Sequence, residues 1–311
     1  MTSARRLWGW ADATLRGVAG GIARRLPATR GRAGTPPVDA PRGVRARTAA
    51  LYTRDIGDGP TVVLLHAFPL SSRMWEPQVR ALEEGVRLVA PDLPGLGLSA
   101  ASPGRSLDDH AHAVAATLET LGIERPFLAG ISMGGYVALR LVDLLGDRCE
   151  GLLLADTRAD ADSAEVASAR HELAAEVEAR GVETAAGALL PRMIGATTLS
   201  LRPRLVDEVR SMIMENAVPG TAAALRAMAA RPDATALLPR ITCPVVCLAG
   251  EEDEITPPAV AYAMAARIPR GRAVTIPGAG HLTNLETPHA FNAALTGLVA
   301  ESLLHARIRA H

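Results

Sequence analysis

The sequence predicts an α/β fold: a mostly parallel central sheet with helices on both faces and an all-helical cap inserted into the chain. Three observations carry this expectation. Short apolar runs bounded by turn residues recur along the sequence and helical patterns separate most of them, as when crossover helices cover both faces of a parallel sheet. Between about 157 and 238 that rhythm stops, and an Ala-, Glu- and Arg-rich stretch shows no strand-like run. Finally, in "PFLAGISMGGYVALRL", one serine sits at the seam of an apolar run and a helix-like pattern.

The bulk composition narrows the function classes. A chain of 311 residues with 48% hydrophobic content can bury a sizeable core. Formal net charge is zero, so no global field recruits nucleic acid or acidic substrates, and no nucleic-acid partner is expected. Every basic residue is arginine and aromatics make up only 3%, which leaves Ala, Leu and Val to build the interior. Cys149, Cys243 and Cys247 have no C-x-x-C spacing and read as buried thiols, with nothing to suggest zinc or an oxidising compartment. No apolar window reaches the roughly 18 residues of a membrane span, and no signal peptide is evident, so a cytoplasmic location is expected.

In chain order, residues 1–45 stand apart as an N-terminal extension. Leu7, Ala11, Leu15, Val18 and Ile22 fall at helical spacing, and Arg5, Arg6, Arg16, Arg24 and Arg25 face only Asp12 as counter-charge. This is the pattern of a basic amphipathic helix. Peripheral membrane contact through residues 1–26 is one reading of it, and packing on the globule or a partner is the other. A linker rich in Pro, Gly and Arg follows, up to residue 45. The α/β core is expected over 46–157 and 238–311. It begins with a half-buried strand, an Asp58-Gly59 turn and the run "TVVLL", read as a hairpin. Strands are then expected at "VRLVAPD", "PFLAG", "GLLLAD", "PVVCLAG" and "AVTIPG", with helices over Leu107 to Leu121 and Tyr136 to Leu145. Breaks at Gly181, Pro191, Pro203, Pro219 and Pro232 divide the cap, 158–237, into four helices lying over one sheet edge.

The serine lies in G-x-S-x-G, Gly130 to Gly134, directly after an expected strand and before a helix. A sharp strand-to-helix turn points the Ser132 hydroxyl out of the sheet, and the flanking glycines let strand and helix approach without side-chain clash. The hydroxyl needs a base. His110 and His112 lie among acidic residues on a helix whose face reads as solvated. His66 ends the "TVVLL" strand and reads as fixing that loop's backbone, whereas His281 sits in a glycine-containing loop after the last strand, on the same sheet edge as Ser132 if the strands are parallel. The imidazole in turn needs a carboxylate. Asp253 ends the preceding strand and gives the chain order Ser, Asp, His; Asp156, also at a strand end, is its rival. Glu251, Glu252 and Glu254 read as surface charge. For an oxyanion, the backbone N–H groups of Met133 and Phe68 are the candidate donors.

With "LLHAFPLSSRMW", "APDLPGLGLS", "LAGISMGGYVAL", "LLLADTRADAD", "LAGEEDEITPP" and "GAGHLTNLE" in order, the stretch from about Ala46 to Ala300 resembles the α/β-hydrolase superfamily. The similarity is to its cap-bearing branch of 3-oxoadipate enol-lactonases, small esterases and cofactor-free haloperoxidases. Ala67 stands where the family commonly has glycine. The resemblance implies Ser132 as nucleophile, His281 as base, Asp253 as acid, the amides of Phe68 and Met133 as oxyanion hole, a small-molecule ester or lactone as substrate, and no cofactor or metal. Met193, Ile194, Met212 and Met214 are candidate lining of an apolar acyl pocket. Carbon–carbon bond hydrolysis or perhydrolysis on the same triad, and ligand sensing without turnover, stay open as alternatives.

Overall fold

The computed structural model describes residues 51–99 and 103–309, so the expectations for residues 1–45 lie outside the described residues. The elements of the core are β1 (Thr53–Ile56), β2 (Thr61–Leu65), α1 (Glu76–Leu82), β3 (Arg87–Pro91), α2 (Leu107–Thr120), β4 (Phe127–Ile131), α3 (Met133–Leu145) and β5 (Gly151–Ala155). After the cap come β6 (Val245–Gly250), α9 (Pro258–Ala265), β7 (Gly271–Ile276), α10 (Thr283–Glu286) and α11 (Pro288–Arg309). No helix among the described residues is long and apolar enough to cross a membrane.

The strands form one seven-stranded sheet in the order β1-β3-β2-β4-β5-β6-β7, parallel except for β1. Burial on both faces follows from the sequence. Val63, Leu65, Leu128, Leu152 and Leu154 pack on one side with residues of α2, α3 and α9, while Val62, Leu64, Phe127, Leu153 and Val246 pack on the other with Val79 of α1 and Phe291 of α11. This explains why these strands read as continuous apolar runs.

The expected hairpin does not form. β1 pairs antiparallel with β3, Thr53 opposite Pro91 and Ile56 opposite Leu88, so β3 lies between β1 and β2. Arg87 of β3 makes a bidentate ion pair with Asp55 of β1, at 2.8 and 2.7 Å, which favours this partner. The histidine face of α2 also differs from expectation. Ser106 and Asp109 close a capping box at its start, and the buried stripe Leu107, His110, Ala111, Val114 and Leu118 takes His110 inside. His112 is exposed, as a solvated face requires. His110 packs so closely on Gly104 that a methyl group there would collide with the ring.

The cap has five helices, not four: α4 (Ala164–Arg180), α5 (Glu183–Met193), α6 (Ala196–Leu201), α7 (Pro203–Met214) and α8 (Val218–Ala229). Gly181 ends α4 with a positive φ of 94°. Pro203 and Pro219 open helices, a position where proline's missing N–H costs nothing, and Pro191 sits within the last turn of α5. The unforeseen break falls at Gly195, the extended N-cap of α6.

Candidate active site

The connection after β2 leads to β3 on one side, and the connection after β4 leads to β5 on the other. β2 and β4 are hydrogen-bonded neighbours, so their carboxyl ends flank a topological switch point, where loops diverge and leave a crevice. Ser132 ends β4 there, and the His66 to Leu70 loop leaves β2 beside it.

Ser132 has φ 53° and ψ −116°, a strained conformation for a side chain other than glycine. Its backbone is pinned from several directions. The N–H donates to Ala155 O at 3.0 Å, and the carbonyl accepts from Gly135 N at 2.9 Å and from Thr157 Oγ1 at 2.8 Å. The motif glycines are needed where helix and strands touch: a methyl group at Gly130 would meet the Gly134 carbonyl, and one at Gly134 would meet the Leu65 carbonyl. The tight seam thus forces the serine outward.

Three side chains meet at this edge. Ser132 Oγ lies 2.8 Å from His281 Nε2, and His281 Nδ1 lies 2.7 Å from Asp253 Oδ2. Asp253 and His281 are buried, while Ser132 keeps partial exposure. Asp253 Oδ1 accepts from Ile255 N at 2.8 Å and Thr256 N at 3.0 Å, and its Oδ2 accepts from Thr256 Oγ1 at 2.7 Å. Burial opposes the Asp253 charge, but the facing His281 and the Thr256 donors outweigh it, so the carboxyl titrates below its usual range.

Asp156, the rival acid, points elsewhere. Its Oδ1 accepts from Gly250 N at 3.0 Å, and its Oδ2 accepts from Thr283 Oγ1 at 2.7 Å and Thr283 N at 3.2 Å. It therefore ties the end of β5 to the end of β6 and to the start of α10, just beyond His281. Complete burial and the nearby Asp253 charge push its carboxyl well up. The two acids are thus driven in opposite directions by their surroundings.

His66 fixes the loop after β2, as expected. Leu93 N–H donates to its Nε2 at 2.8 Å, so Nδ1 carries the proton and donates to Ala67 O at 3.0 Å. Burial lowers the imidazole pKa, against the pull of Asp92, and favours this neutral form. Ala67 O belongs to the same peptide unit as the Phe68 N–H, so holding one orients the other. Met133 is the first residue of α3, where a helix leaves its amide without an intrahelical acceptor. The Phe68–Pro69 bond is cis.

The sequence reading missed Glu286. Buried in α10, it accepts from Gly280 N at 3.0 Å and Leu282 N at 3.1 Å on Oε1, and from Gly195 N at 2.9 Å on Oε2. The first two amides flank His281, and the third belongs to the cap. His281 N–H itself donates to Met193 O at 3.1 Å. Glu252, expected on the surface, is half-buried and accepts from Thr197 N at 2.8 Å. The α5–α6 connection is therefore bonded to the loops that carry His281 and Asp253.

A cavity of about 430 Å³ opens over Ser132 and His281 between cap and sheet. Phe68, Leu173, Leu189, Met193, Leu225 and Met228 give it apolar walls, while Arg158, Arg170 and Glu176 bring charge to it. Of the four expected lining residues only Met193 reaches it. Ile194 and Met212 are buried without lining it, and Met214 is exposed on α7.

Residues 62–294 match the model of the alpha/beta hydrolase family. The chain is 30% identical over 251 residues to the pimeloyl-[acyl-carrier protein] methyl ester esterase of Nitrosomonas europaea, covering 78% of this chain and 97% of that one. Among solved structures it superposes on a thermophilic esterase from Thermogutta terrifontis with TM-score 0.79 and 38% identity, covering 81% and 93% of the two chains. It also superposes on the enol-lactonase from Burkholderia xenovorans with TM-score 0.75 and 29% identity, covering 80% and 96%.

Proposed function

Since the chain belongs to the alpha/beta hydrolase family, we propose that it is a serine hydrolase that cleaves a carboxylic ester or lactone through an acyl-enzyme on Ser132. The observation that carries this is the unbroken relay of 2.8 Å from Ser132 Oγ to His281 Nε2 and 2.7 Å from His281 Nδ1 to Asp253 Oδ2. His281 takes the hydroxyl proton as Ser132 attacks the carbonyl carbon, and Asp253 stabilises the imidazolium that results. The amides of Phe68 and Met133 hold the oxyanion in place, one oriented by His66 and the other aided by the positive end of α3. His281 then protonates the departing alkoxide. In a lactone this alkoxide stays attached to the acyl group, so ring opening leaves one product after water releases the serine. The proton transfers need no group beyond the triad and water.

The ester and lactone chemistry named for the relatives supports the substrate class, and the apolar walls of the cavity suit an acyl chain. A panel of p-nitrophenyl esters of increasing acyl length, together with lactones, tests the reading, with Ser132→Ala as the blank. Continuous turnover by the wild type and loss of nearly all of it in Ser132→Ala is expected. Equal rates for the two proteins, or a single stoichiometric burst from the wild type, would exclude it.

A further inference from the structure

At the opposite end of the sheet from Ser132, two thiols meet. Cys149 precedes β5 and Cys243 precedes β6, and their sulfur atoms lie 3.9 Å apart, both as free thiols. The strands they introduce are paired in parallel with Leu152 opposite Val245. Carrying that register back places Cys149 opposite Thr242, beside Cys243. Neighbouring strands run about 4.8 Å apart, so the two backbones stand near the span a disulfide bridges, and side-chain rotation has to bring the sulfurs from 3.9 Å into bonding range.

We propose that Cys149 and Cys243 form a peroxide-oxidisable pair whose disulfide clasps the base of the cap insertion. Cys243 is the residue an oxidant reaches, because it lines a cavity of about 100 Å³ between Asp143, Asp147, Arg240 and Thr242. That volume exceeds what a water-sized molecule needs. The hydrogen bond with Cys149 and the charge of Arg270 hold the Cys243 thiol below its ordinary range against burial and Glu150, while the same contact and burial push Cys149 up. The cavity assigns the roles, since Cys243 lines it and Cys149 does not. The Cys243 thiolate attacks one peroxide oxygen, the O–O bond breaks, and water leaves once the other oxygen is protonated. Cys149 then attacks the sulfenic sulfur, its proton leaves with the hydroxyl as a second water, and the S–S bond forms. The thiol pair gives two electrons, which the peroxide accepts. Cys247 lies fully buried within β6, its thiol pushed up to about 12 by burial, and serves as an internal control.

The positions decide the consequence. The cap leaves the sheet after β5 and returns before β6, so a bond between residues 94 apart closes a ring around β5 and the whole cap. Such a bond restricts the unfolded chain and leaves the catalytic edge untouched.

The test treats the full-length protein with hydrogen peroxide, then counts thiols in denaturant with Ellman's reagent and takes an intact mass after iodoacetamide. The three free thiols should fall to one, so that iodoacetamide adds one group in place of three, with full return under dithiothreitol. Peptide mapping should place the bond at Cys149–Cys243, and Cys247→Ser should form it equally well. The oxidised monomer should melt several degrees higher and keep its hydrolytic rate within about twofold. Retention of all three thiols, a covalent dimer, oxidation at Cys247, or a sulfinic acid at Cys243 in place of the bond would each overturn the proposal.

Discussion

Replacing Glu286 by glutamine exchanges one oxygen for an amide nitrogen and leaves the side chain's size almost unchanged. The carboxylate serves three buried N–H groups, two on one oxygen and one on the other, so glutamine satisfies only part of the set. With its oxygen toward Gly280 and Leu282, its NH2 group confronts the Gly195 N–H, donor against donor. A buried amide without its acceptor costs roughly 1–3 kcal/mol, and the remaining bonds lose their charge assistance. If about half of that strain is relieved by displacing the His281 turn, the relay to Ser132 lengthens, and a loss of about 0.5–1.5 kcal/mol in transition-state stabilisation is a roughly 2- to 13-fold fall in kcat/KM. The fall should appear in kcat with KM nearly unchanged, because Glu286 acts through His281 and is not among the residues lining the cavity. Steady-state hydrolysis of a p-nitrophenyl ester measures the two constants, and urea unfolding of the same preparation measures stability. Full kcat in a Glu286→Gln protein that is less stable than wild type would refute a positioning role and leave Glu286 a purely structural carboxylate.

Asp253→Asn removes the charge facing His281 Nδ1 and should lower kcat by on the order of 10³ to 10⁴ with KM little changed. Asp156→Asn should keep kcat within about tenfold and lower the urea midpoint; if it is the more crippling of the two in steady-state assays, the acid has been misassigned. Stability should also fall on acidification through His110. Burial, with the neighbouring His66 and against Asp109, lowers its pKa to about 4, so its contribution is complete above the unfolded value near 6.5 and is lost as pH falls toward 4. This amounts to about 2 kcal/mol by pH 5, and urea unfolding at pH 7 and pH 5 should show the loss halved or better in His110→Phe. An identical pH dependence in the variant would place the titration elsewhere.

The parts of this protein legible from sequence are those whose signal is local. The strands of the sheet interior are buried on both faces and so read as unbroken apolar runs, and the Gly130 to Gly134 turn must exclude side chains wherever β2, β4 and α3 touch. Ser132, Asp253 and His281 each follow a strand, and in a parallel sheet every strand delivers its following loop to the same edge. That single rule placed all three at one edge, and the structure closes them to 2.7 and 2.8 Å. It could not choose a partner for β1, because a strand beside a short turn pairs with its neighbour or steps over it at similar local cost, and the Arg87–Asp55 contact that bears on the choice joins segments 32 residues apart.

What stayed hidden depends on the far side of a contact. Thirteen residues separate Glu286 from the core helix residue Val299, and 91 separate it from Gly195, the cap amide it accepts from, so no spacing within α10 distinguishes it from a surface glutamate. His110 shows the same limit from the opposite direction: its acidic neighbours suggested solvent, yet the 107, 111, 114 and 118 stripe carries it inward against Gly104. Both residues are polar groups held in the interior by packing that other segments supply. The bonds of Glu286 have a mechanical meaning for the cap. Because Met193, Gly195 and Thr197 are tied to the His281 turn, Glu286 and Glu252, this corner of the cap cannot lift away without disturbing the loops of His281 and Asp253 together. Substrate is therefore expected to enter at the other side of the cavity, where α4 and α8 supply Val166, Leu173 and Leu225 to its wall. Widening that side with Leu173→Ala should broaden the range of acyl lengths accepted in the ester panel. Unchanged chain-length preference would argue that the entrance lies at the tethered corner after all.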